Sequence, residues 1–273
     1  MEKRRLDTLL AERGLFASRT RAAASVMAGE VRIGVGERRA SKPGEMIDVT
    51  ERVLVRQRPA FVSRGGIKLA NALRTSGLRV EGRRALDVGA STGGFSDCLL
   101  QSGVREVIAV DVGYGTLDYR LRIDPRVSVM ERTNARSLEP GMLPAALDGS
   151  GAAPDLATID VSFISLTKVL AAVIGSLGDS YDVLALVKPQ FEVGRGRVGK
   201  GGVVREAKDR REVLIGVGEM ALGLGSRVRG YHSSGLPGPK GNRETFIWLC
   251  DAGAGEGTAD AGELAAMARS VEP

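Results

Sequence analysis

LDVGASTGGF, residues Leu86–Phe95, joins an apolar run that ends in an acidic residue to a glycine-rich turn. The apolar run predicts a buried parallel strand, and a helix is predicted to begin near Phe95. Gly89, Gly93 and Gly94 allow the backbone to turn sharply and to approach a ligand closely. A strand, a glycine turn and a helix in this order are typical of sites that bind a nucleotide-type cofactor. Methyltransferases, dehydrogenases and some loops without a ligand share the pattern, so it leaves the cofactor open.

A second apolar segment, EVIAVDVGYG, strengthens the prediction of a cofactor site. It ends in Asp111, which lies 24 positions after Asp87, the acidic residue of the first strand. In dinucleotide-binding folds, an acid at the tip of the second strand accepts hydrogen bonds from the ribose hydroxyls. The two strands therefore predict a binding site for one adenosine.

The remainder of the chain from residue 60 alternates between strand and helix patterns, which predicts an α/β domain with one doubly wound, mainly parallel sheet. A helix is predicted over 63–75. The glycine-rich stretch 194–202 is predicted to be a flexible loop, either a flap that touches phosphate or a plain connection. Residues 251–273 are predicted to be a loosely ordered tail apart from a short alanine-rich helix over 262–269. The seven strands are predicted near 84–89, 106–112, 127–130, 156–161, 182–188, 227–232 and 245–250.

Four charged residues stand against apolar runs in this domain: Lys68, Asp160, Lys188 and Glu244. Asp160 and Lys188 each end an apolar strand, and the carboxyl ends of parallel strands line the ligand crevice of a doubly wound sheet. A lysine is a poor base at neutral pH unless burial or a second cation favours its neutral form. We interpret Lys68 as that second cation and the two acids as groups that orient the amines. The alternative for each residue is a structural ion pair at a sheet edge.

Positive charge is concentrated at the front of the chain. Residues 1–84 carry 19 Lys/Arg against 9 Asp/Glu, a net charge of +10, whereas the rest of the chain carries a net charge of −4. Such asymmetry predicts a module that faces a polyanion, attached to a nearly neutral catalytic domain. The alternative is that these arginines are ordinary solvated surface residues.

Cysteine usage and hydropathy limit the possible locations and cofactors. Cys98 and Cys250 form neither a disulfide framework nor a metal-ligand cluster, so no metal site is predicted. The sequence begins without the apolar core of a secretory signal, and it contains no stretch of about 18 apolar residues. We therefore expect a cytoplasmic protein that does not enter a membrane.

Residues 1–59 contain the pattern RLDTLLAERGLFASRTRAAASVMAGEVRIG, followed by a KPGE turn. It predicts a helix over 4–13, a second helix over Arg19–Met27 that Ser18 caps, and short strands over 31–35 and 46–49. An arginine-rich connector over 53–59 is predicted to follow. The pattern resembles the αL-motif RNA-binding domain named after a small-subunit ribosomal protein. This resemblance implies that phosphate contacts to structured RNA come from four arginines: Arg4, Arg5, Arg19 and Arg21.

Nearly the whole chain, from Arg4 to about Leu249, resembles the TlyA family of ribosomal RNA 2′-O-methyltransferases, whose body is of the FtsJ type. The segments that carry the resemblance are SRGGIKL, LDVGASTGGFSDCLLQSG, AVDVGYGTLDYRLRIDPRV, ERTNAR, IDVSFISL, LVKPQFE, KGGVVRE and GPKGNRETFIWL. The resemblance implies a class I, Rossmann-like methyltransferase domain over 60–250 with a small α+β RNA-binding domain before it. It also implies methyl transfer from S-adenosylmethionine to the 2′-hydroxyl of cytidine in small- and large-subunit ribosomal RNA. Ribosomal RNA or ribosomal subunits are then the expected partners, and no obligate protein partner is expected.

The resemblance also implies roles for individual residues. The family's catalytic Lys, Asp, Lys, Glu set falls on Lys68, Asp160, Lys188 and Glu244. Two positions depart from the family pattern: Ser91 replaces the middle glycine of the turn, and Thr116 stands where glutamine is expected. The implied S-adenosylmethionine site comprises Asp87, Gly89, Ala90, Ser91, Gly93, Gly94, Phe95, Asp111, Val112, Asn134, Ala135 and Asp160.

Three other functional classes are alternatives to an RNA methyltransferase. A nicotinamide-dependent oxidoreductase would use the same glycine turn and Asp111, but it gives no role to the two lysines or the basic front. A membrane-active haemolysin is considered because members of the family have carried that name, although no membrane-spanning segment is predicted. A non-catalytic RNA-binding factor would not need the set of four charged residues.

Overall fold

The computed structural model describes residues 2–55, 59–238, 240–255, 257–258 and 260–272, apart from the side chain of Arg195. The chain divides into two compact units, Met1–Pro59 and Ala60–Pro273, here called the N-terminal unit and the C-terminal unit.

The N-terminal unit is a small α+β structure. Strand β1 pairs with β4, and β2 lies between β3 and β5, all in antiparallel register. Its core is apolar and includes the fully buried Leu6, Leu10 and Val31. Its elements are β1 (Lys3–Arg5), α1 (Leu6–Glu12), α2 (Arg19–Met27), β2 (Val31–Ile33), β3 (Arg38–Arg39), β4 (Met46–Asp48) and β5 (Val53–Val55).

The second helix of this unit is confirmed, since Ser18 Oγ accepts a hydrogen bond from the Arg21 backbone N at 3.2 Å and caps α2. The prediction that the first helix starts at residue 4 is wrong. Arg4 and Arg5 lie in strand β1 because they pair with β4, a partner too distant in sequence for local helix periodicity to reveal. The connector predicted over 53–59 begins with strand β5, and its residues 56–58 lie outside the described residues.

The C-terminal unit contains one seven-stranded sheet in the order β11-β12-β10-β9-β6-β7-β8. Strand β12 is antiparallel to both of its neighbours, and the other pairings are parallel. The predicted α/β class with a seven-stranded, mainly parallel sheet is confirmed. The elements are α3 (Arg64–Ser76), β6 (Arg84–Val88), α4 (Gly94–Gln101), β7 (Glu106–Val110), α5 (Tyr119–Arg122), β8 (Val127–Met130), β9 (Leu156–Ile159), α6 (Leu170–Ile174), β10 (Asp182–Val187), α7 (Pro189–Glu192), α8 (Ala207–Gly223), β11 (Arg227–Ser233), β12 (Thr245–Cys250) and α9 (Ala261–Val271).

The central strands are apolar because helices cover both faces of the sheet. Successive residues of β6 alternate between two apolar layers: Leu86 and Val88 belong to one layer, and Ala85 belongs to the other. The chain order reverses beside β6, since β7 lies on one side of it and β9 on the other. In open α/β sheets the crevice at such a reversal, outside the carboxyl ends of the strands, is where ligands bind.

The alanine-rich helix predicted over 262–269 is confirmed as α9 (Ala261–Val271), but the prediction that the rest of the tail is loosely ordered is wrong at Thr258, which pairs with Val228, and at the buried Glu272. Leu264 and Ala268 lie four residues apart on α9, and both are fully buried in the core of the C-terminal unit. Glu272 Oε2 forms an ion pair with Arg210 Nη2 at 2.9 Å. The alanine- and glycine-rich composition concealed this apolar face, which α8 and β11 cover.

The predicted loop over 194–202 contains one short 3-10 helix, Arg195–Arg197. Beyond it, the buried Asn242 fixes the chain: its Nδ2 donates to Gly202 O at 2.8 Å, and its Oδ1 accepts from Val204 N at 2.9 Å. A phosphate contact by this loop stays a prediction.

Candidate active site

Two neighbouring cavities lie at the carboxyl ends of the central strands. The larger cavity measures about 570 Å³, and the smaller cavity measures about 180 Å³. Both are lined by Gly89, Ser91, Asp160 and Ser162, so they share one wall. The volume of the larger cavity falls within the range that small-molecule cofactors occupy, about 300 to 1,000 Å³.

The glycine turn after β6 forms the shared wall. Gly89 has a φ of +85°, and a Cβ added there would lie 2.6 Å from the Asp160 carbonyl oxygen. Glycine therefore lets the ends of β6 and β9 approach each other. Ser91, the departure from a glycine trio, also adopts a positive φ of 50°, and its backbone N donates to Asp111 Oδ2 at 2.7 Å.

Asp111 stands on the wall of the larger cavity, as predicted for a residue that holds a ribose. Its Oδ1 accepts from Gly113 N at 2.6 Å, and its Oδ2 accepts from Ser91 N. Each carboxylate oxygen has a further lone pair, so the side chain retains acceptor capacity for hydroxyl groups. Thr116, the other departure, donates from Oγ1 to Ser91 O at 3.2 Å and so braces the same turn.

The other predicted cofactor residues fall into three groups. Val112, Asn134 and Ala135 line the larger cavity, whereas Ala90, Gly94 and Phe95 line the smaller cavity. Asp87 and Gly93 line neither of these two cavities. Direct cofactor contacts by these residues stay predictions.

Asp87 is a fully buried carboxyl group beneath the glycine turn. It accepts hydrogen bonds from Ser96 Oγ at 2.6 Å and from Thr158 Oγ1 at 3.0 Å. Burial raises the pKa of Asp87 to about 6, although both hydrogen bonds act in the opposite direction. The structure therefore gives Asp87 the role of joining β6, α4 and β9 from within.

The four predicted catalytic residues form two ion pairs. Lys188 Nζ lies 2.5 Å from Asp160 Oδ1, and Lys68 Nζ is paired with Glu244 Oε2. Asp160 and Lys188 meet because each directly follows one of the parallel neighbours β9 and β10. Lys68 comes from α3, and Glu244 directly precedes β12.

Both lysines line the smaller cavity, and Asp160 lines both cavities, whereas Glu244 lies behind Lys68 and is buried. The oxygen Asp160 Oδ1 is buried and accepts no aligned hydrogen bond from the described residues, so its contact with Lys188 is purely ionic. The acceptor capacity left on Asp111 and the close-packed glycine turn fit a site that a polar, nucleoside-type ligand completes.

Phe163 and Ser162 are candidate functional residues that the sequence analysis did not single out. Phe163 has a φ of +65°, is 91% exposed, and lines the larger cavity with its ring centroid 5.4 Å from that of Phe191. An exposed phenyl ring at the rim of a cavity offers a surface on which a base can stack. The only sequence signal for Ser162 and Phe163 was their place in IDVSFISL, two and three positions after Asp160.

Glu192 fastens the loop after β9 to α7. Its Oε2 accepts from Ser165 Oγ at 2.5 Å, and its Oε1 accepts from Leu166 N at 2.8 Å. Burial raises the pKa of Glu192 above its ordinary value. The loop that carries Ser162 is thereby held to the helix that begins directly after Lys188.

Three of the four predicted RNA-binding arginines, Arg4, Arg5 and Arg19, form ion pairs with carboxylates of the N-terminal unit. Arg5 and Arg19 both form ion pairs with the buried Asp7, at 2.8 Å and 3.1 Å. The hydrogen bond from Arg5 is the main cause that lowers the pKa of Asp7, and Arg19 adds to it. Arg4 pairs with the exposed Glu2 and Glu12. Arg21 is exposed on α2, and contact of any of the four with RNA stays a prediction.

Within the described ranges, no helix combines the length and the apolar character needed to cross a bilayer.

Comparisons with known proteins identify the relatives of this chain. The profile of the FtsJ-like methyltransferase family matches residues 61–250. A 16S/23S rRNA (cytidine-2′-O)-methyltransferase TlyA of Mycobacterium tuberculosis is 47% identical over 248 residues, which cover 90% of this chain and 89% of that protein. A Bacillus subtilis protein described as an rRNA methyltransferase is 44% identical over 93% of this chain and 88% of its own.

A solved structure named as a hemolysin, from Streptococcus thermophilus, superposes with a TM-score of 0.70 at 40% identity. The match covers 99% of this chain and 96% of that one. The predicted resemblance and the predicted methyltransferase class are thus confirmed. This chain belongs to the TlyA group of the FtsJ-like methyltransferase family.

Proposed function

We propose that the protein transfers the methyl group of S-adenosylmethionine to the 2′-hydroxyl of a cytidine ribose in ribosomal RNA. The observation that carries this proposal is the pair of buried lysines in a small cavity that shares a wall with a larger, cofactor-sized one. Such an arrangement can place a hydroxyl nucleophile beside an activated methyl donor. The names of the relatives from Mycobacterium tuberculosis and Bacillus subtilis support the choice of ribosomal RNA.

The larger cavity fits the adenosine part of the donor. Asp111 has acceptor capacity left for ribose hydroxyls, and Asn134 and Ala135 are the residues that would lie against the adenine. When bound, S-adenosylmethionine supplies a methyl group on a sulfonium, which is already an activated leaving group. The work left to the protein is alignment of the acceptor and removal of its proton.

Lys188 is the residue that takes up the hydroxyl proton. Its Nζ lies in the smaller cavity, where Asp160 holds it by charge. Lys68 brings a second amine into the same cavity. Glu244 holds Lys68 in place. In this arrangement Lys188 is the base and Asp160 orients it, whereas Lys68 is a second cation that Glu244 holds in place.

The N-terminal unit would hold the RNA. Residues 1–59 carry 13 Lys/Arg against 8 Asp/Glu, and Arg19 and Arg21 come from the first turn of α2. Contacts of such arginines with phosphate strengthen binding without reading sequence. Phe163, at the rim of the larger cavity, offers a stacking surface to a base near the target ribose. Because ribosomal RNA is cytoplasmic in bacteria such as the organisms of its relatives, we infer a cytoplasmic location.

Incubation of the purified protein with 30S and 50S particles and methyl-labelled S-adenosylmethionine tests the proposal. The label is expected on a cytidine ribose, located by nuclease digestion and mass mapping of the methylated fragment. The same experiment identifies the subunit and asks whether any further protein is needed. Label on a base, or no label on either particle, would contradict the proposal.

A thermal-shift comparison separates the donor from the alternative dinucleotide. S-adenosylmethionine or its demethylated product is expected to raise the melting temperature, since a ligand that binds only the folded state stabilises it. NADH at the same concentration is expected to leave it unchanged. The reverse result would favour an oxidoreductase.

A further inference from the structure

Ser162 makes the one aligned hydrogen bond to the Lys188 amine among the described residues. Lys188 Nζ donates to Ser162 Oγ at 2.7 Å. Ser162 is exposed and lines both cavities, whereas Lys188 is only 8% exposed. The hydroxyl group therefore lies between the buried amine and the open site.

The fold holds Ser162 in this position from two sides. Asp160 directly follows strand β9, and the backbone bends at Phe163, whose positive φ is unusual for a bulky residue. Glu192 then fastens the following residues, Ser165 and Leu166, to α7. A loop that is restrained on both sides of Ser162 is suited to hold one side chain against a catalytic group.

The chemistry of an amine explains why a second acceptor matters. A neutral lysine amine has two N–H donors and one lone pair, and the lone pair must face the hydroxyl whose proton it removes. Ser162 accepts one N–H group in an aligned hydrogen bond, and Asp160 holds the amine by charge, so the two contacts together restrict the direction of the lone pair. With Asp160 alone, the amine can rotate about its last C–N bond, and the lone pair loses its direction.

We propose that Ser162 is a positioning residue that aims the Lys188 amine at the ribose hydroxyl. The inference rests on the proposed function, because it concerns the same proton transfer. It adds a fifth residue to the two ion pairs, and this residue acts through Lys188 rather than on the substrate.

The test compares Ser162→Ala with Ser162→Thr, which keeps the hydroxyl group. Under single-turnover conditions with saturating RNA and donor, the alanine variant is expected to lose about 10- to 100-fold in rate, the loss typical of one hydrogen bond to a charged group. The threonine variant is expected to retain most of the wild-type rate. Affinity for S-adenosylmethionine is expected to stay unchanged in both. Ser270→Ala, an exposed serine on α9, serves as the matched control and is expected to behave as wild type.

The pH profile distinguishes positioning from packing. An acceptor of a Lys188 N–H also stabilises the protonated amine, so its removal moves the rising limb of the rate profile to lower pH. Three charged groups surround Lys188: Asp160, Lys68 and Glu244, the ion-pair partner of Lys68. All three are the same in both variants. A residue that only filled space would lower the rate without moving this limb.

Two results would overturn the inference. One is an alanine variant with the wild-type rate and pH profile. The other is an equal loss in the alanine and threonine variants with an unmoved pH profile. If the wild-type protein itself transferred no methyl group to RNA, the proposed function would fail, and this outcome is visible in the same experiment before any variant is compared.

Discussion

Replacing Lys188 with alanine removes the amine that we propose takes up the proton of the ribose hydroxyl. General base catalysis by one positioned group contributes about 100- to 10,000-fold, so the variant is expected to lose methyl transfer by a factor in that range. Lys188 lines the smaller cavity but not the larger one, so the affinity for S-adenosylmethionine is expected to stay close to that of the wild type.

The same substitution leaves Asp160 without its cation. Removal of one partner from a fully buried ion pair costs about 3 to 5 kcal/mol. The cost here is expected to be smaller because the Asp160 side chain is 23% exposed. A control variant, Lys188→Ala with Asp160→Asn, removes the uncompensated charge and is expected to recover stability without recovering activity.

The assay measures three quantities on each variant: the single-turnover rate on RNA, the dissociation constant for S-adenosylmethionine by calorimetry, and the melting temperature. For Lys188→Ala, the single-turnover rate is expected to fall strongly, whereas the dissociation constant for S-adenosylmethionine is expected to stay nearly unchanged. Equal losses of rate and of donor affinity would refute the reasoning, because Lys188 would then belong to the donor site rather than to the proton transfer.

Three further perturbations probe other parts of the structure. Replacing Arg19 and Arg21 together by alanine is expected to reduce the slope of log Kd for RNA against log salt by about 1 to 2, as measured by filter binding, because fewer counterions are released; an unchanged slope would remove them from the RNA surface. Phe163→Ala is expected to weaken RNA binding by about 1 to 3 kcal/mol through lost stacking, whereas Phe163→Tyr keeps it; equal binding by the alanine variant in the same assay would exclude a stacking role. Asp87 has a pKa raised to about 6 by burial, so the wild-type free energy of unfolding should fall as the pH rises from about 4 through about 6, by on the order of 3 kcal/mol. Asp87→Asn should lack this component in denaturant titrations at a series of pH values, and an identical pH dependence in both proteins would contradict the assignment.

The sheet was predictable from the sequence because its strands are buried on both faces. Continuous apolar runs such as that around Leu86 mark such strands, and the charged residues that follow them mark the strand ends. The meeting of Asp160 and Lys188 follows from one topological rule, since carboxyl ends of parallel neighbours lie at the same edge. Because Gly89 also follows a parallel strand of this sheet, its place beside the ligand crevice could be predicted from the same rule.

Other features depend on contacts that local patterns do not encode. Lys68 and Glu244 lie 176 positions apart, so their pairing emerges only when α3 is packed beside the start of β12. The first two residues of the helix expected over 4–13 lie in strand β1 instead because β4 supplies a distant partner, and the helix α1 covers Leu6–Glu12. Outside the predicted helix, the order of the tail was underestimated because Thr258 and Glu272 contact Val228 and Arg210, which are distant in sequence.

The role of Ser162 also lay beyond the sequence. Its approach to Lys188 requires the backbone bend at Phe163, where a positive φ is not signalled by glycine or asparagine. The anchoring by Glu192 crosses from one strand end to the next. Tertiary restraint, rather than residue preference, determines the local conformation here.

The most direct measurement of the central claim is the nucleoside composition of ribosomal RNA after reaction, by mass spectrometry, with the wild-type protein and with Lys188→Ala. If Lys188 removes the hydroxyl proton, the wild type yields 2′-O-methylcytidine and the variant yields almost none, while both proteins bind S-adenosylmethionine. Wild-type levels of 2′-O-methylcytidine in the Lys188→Ala reaction would contradict this role of Lys188.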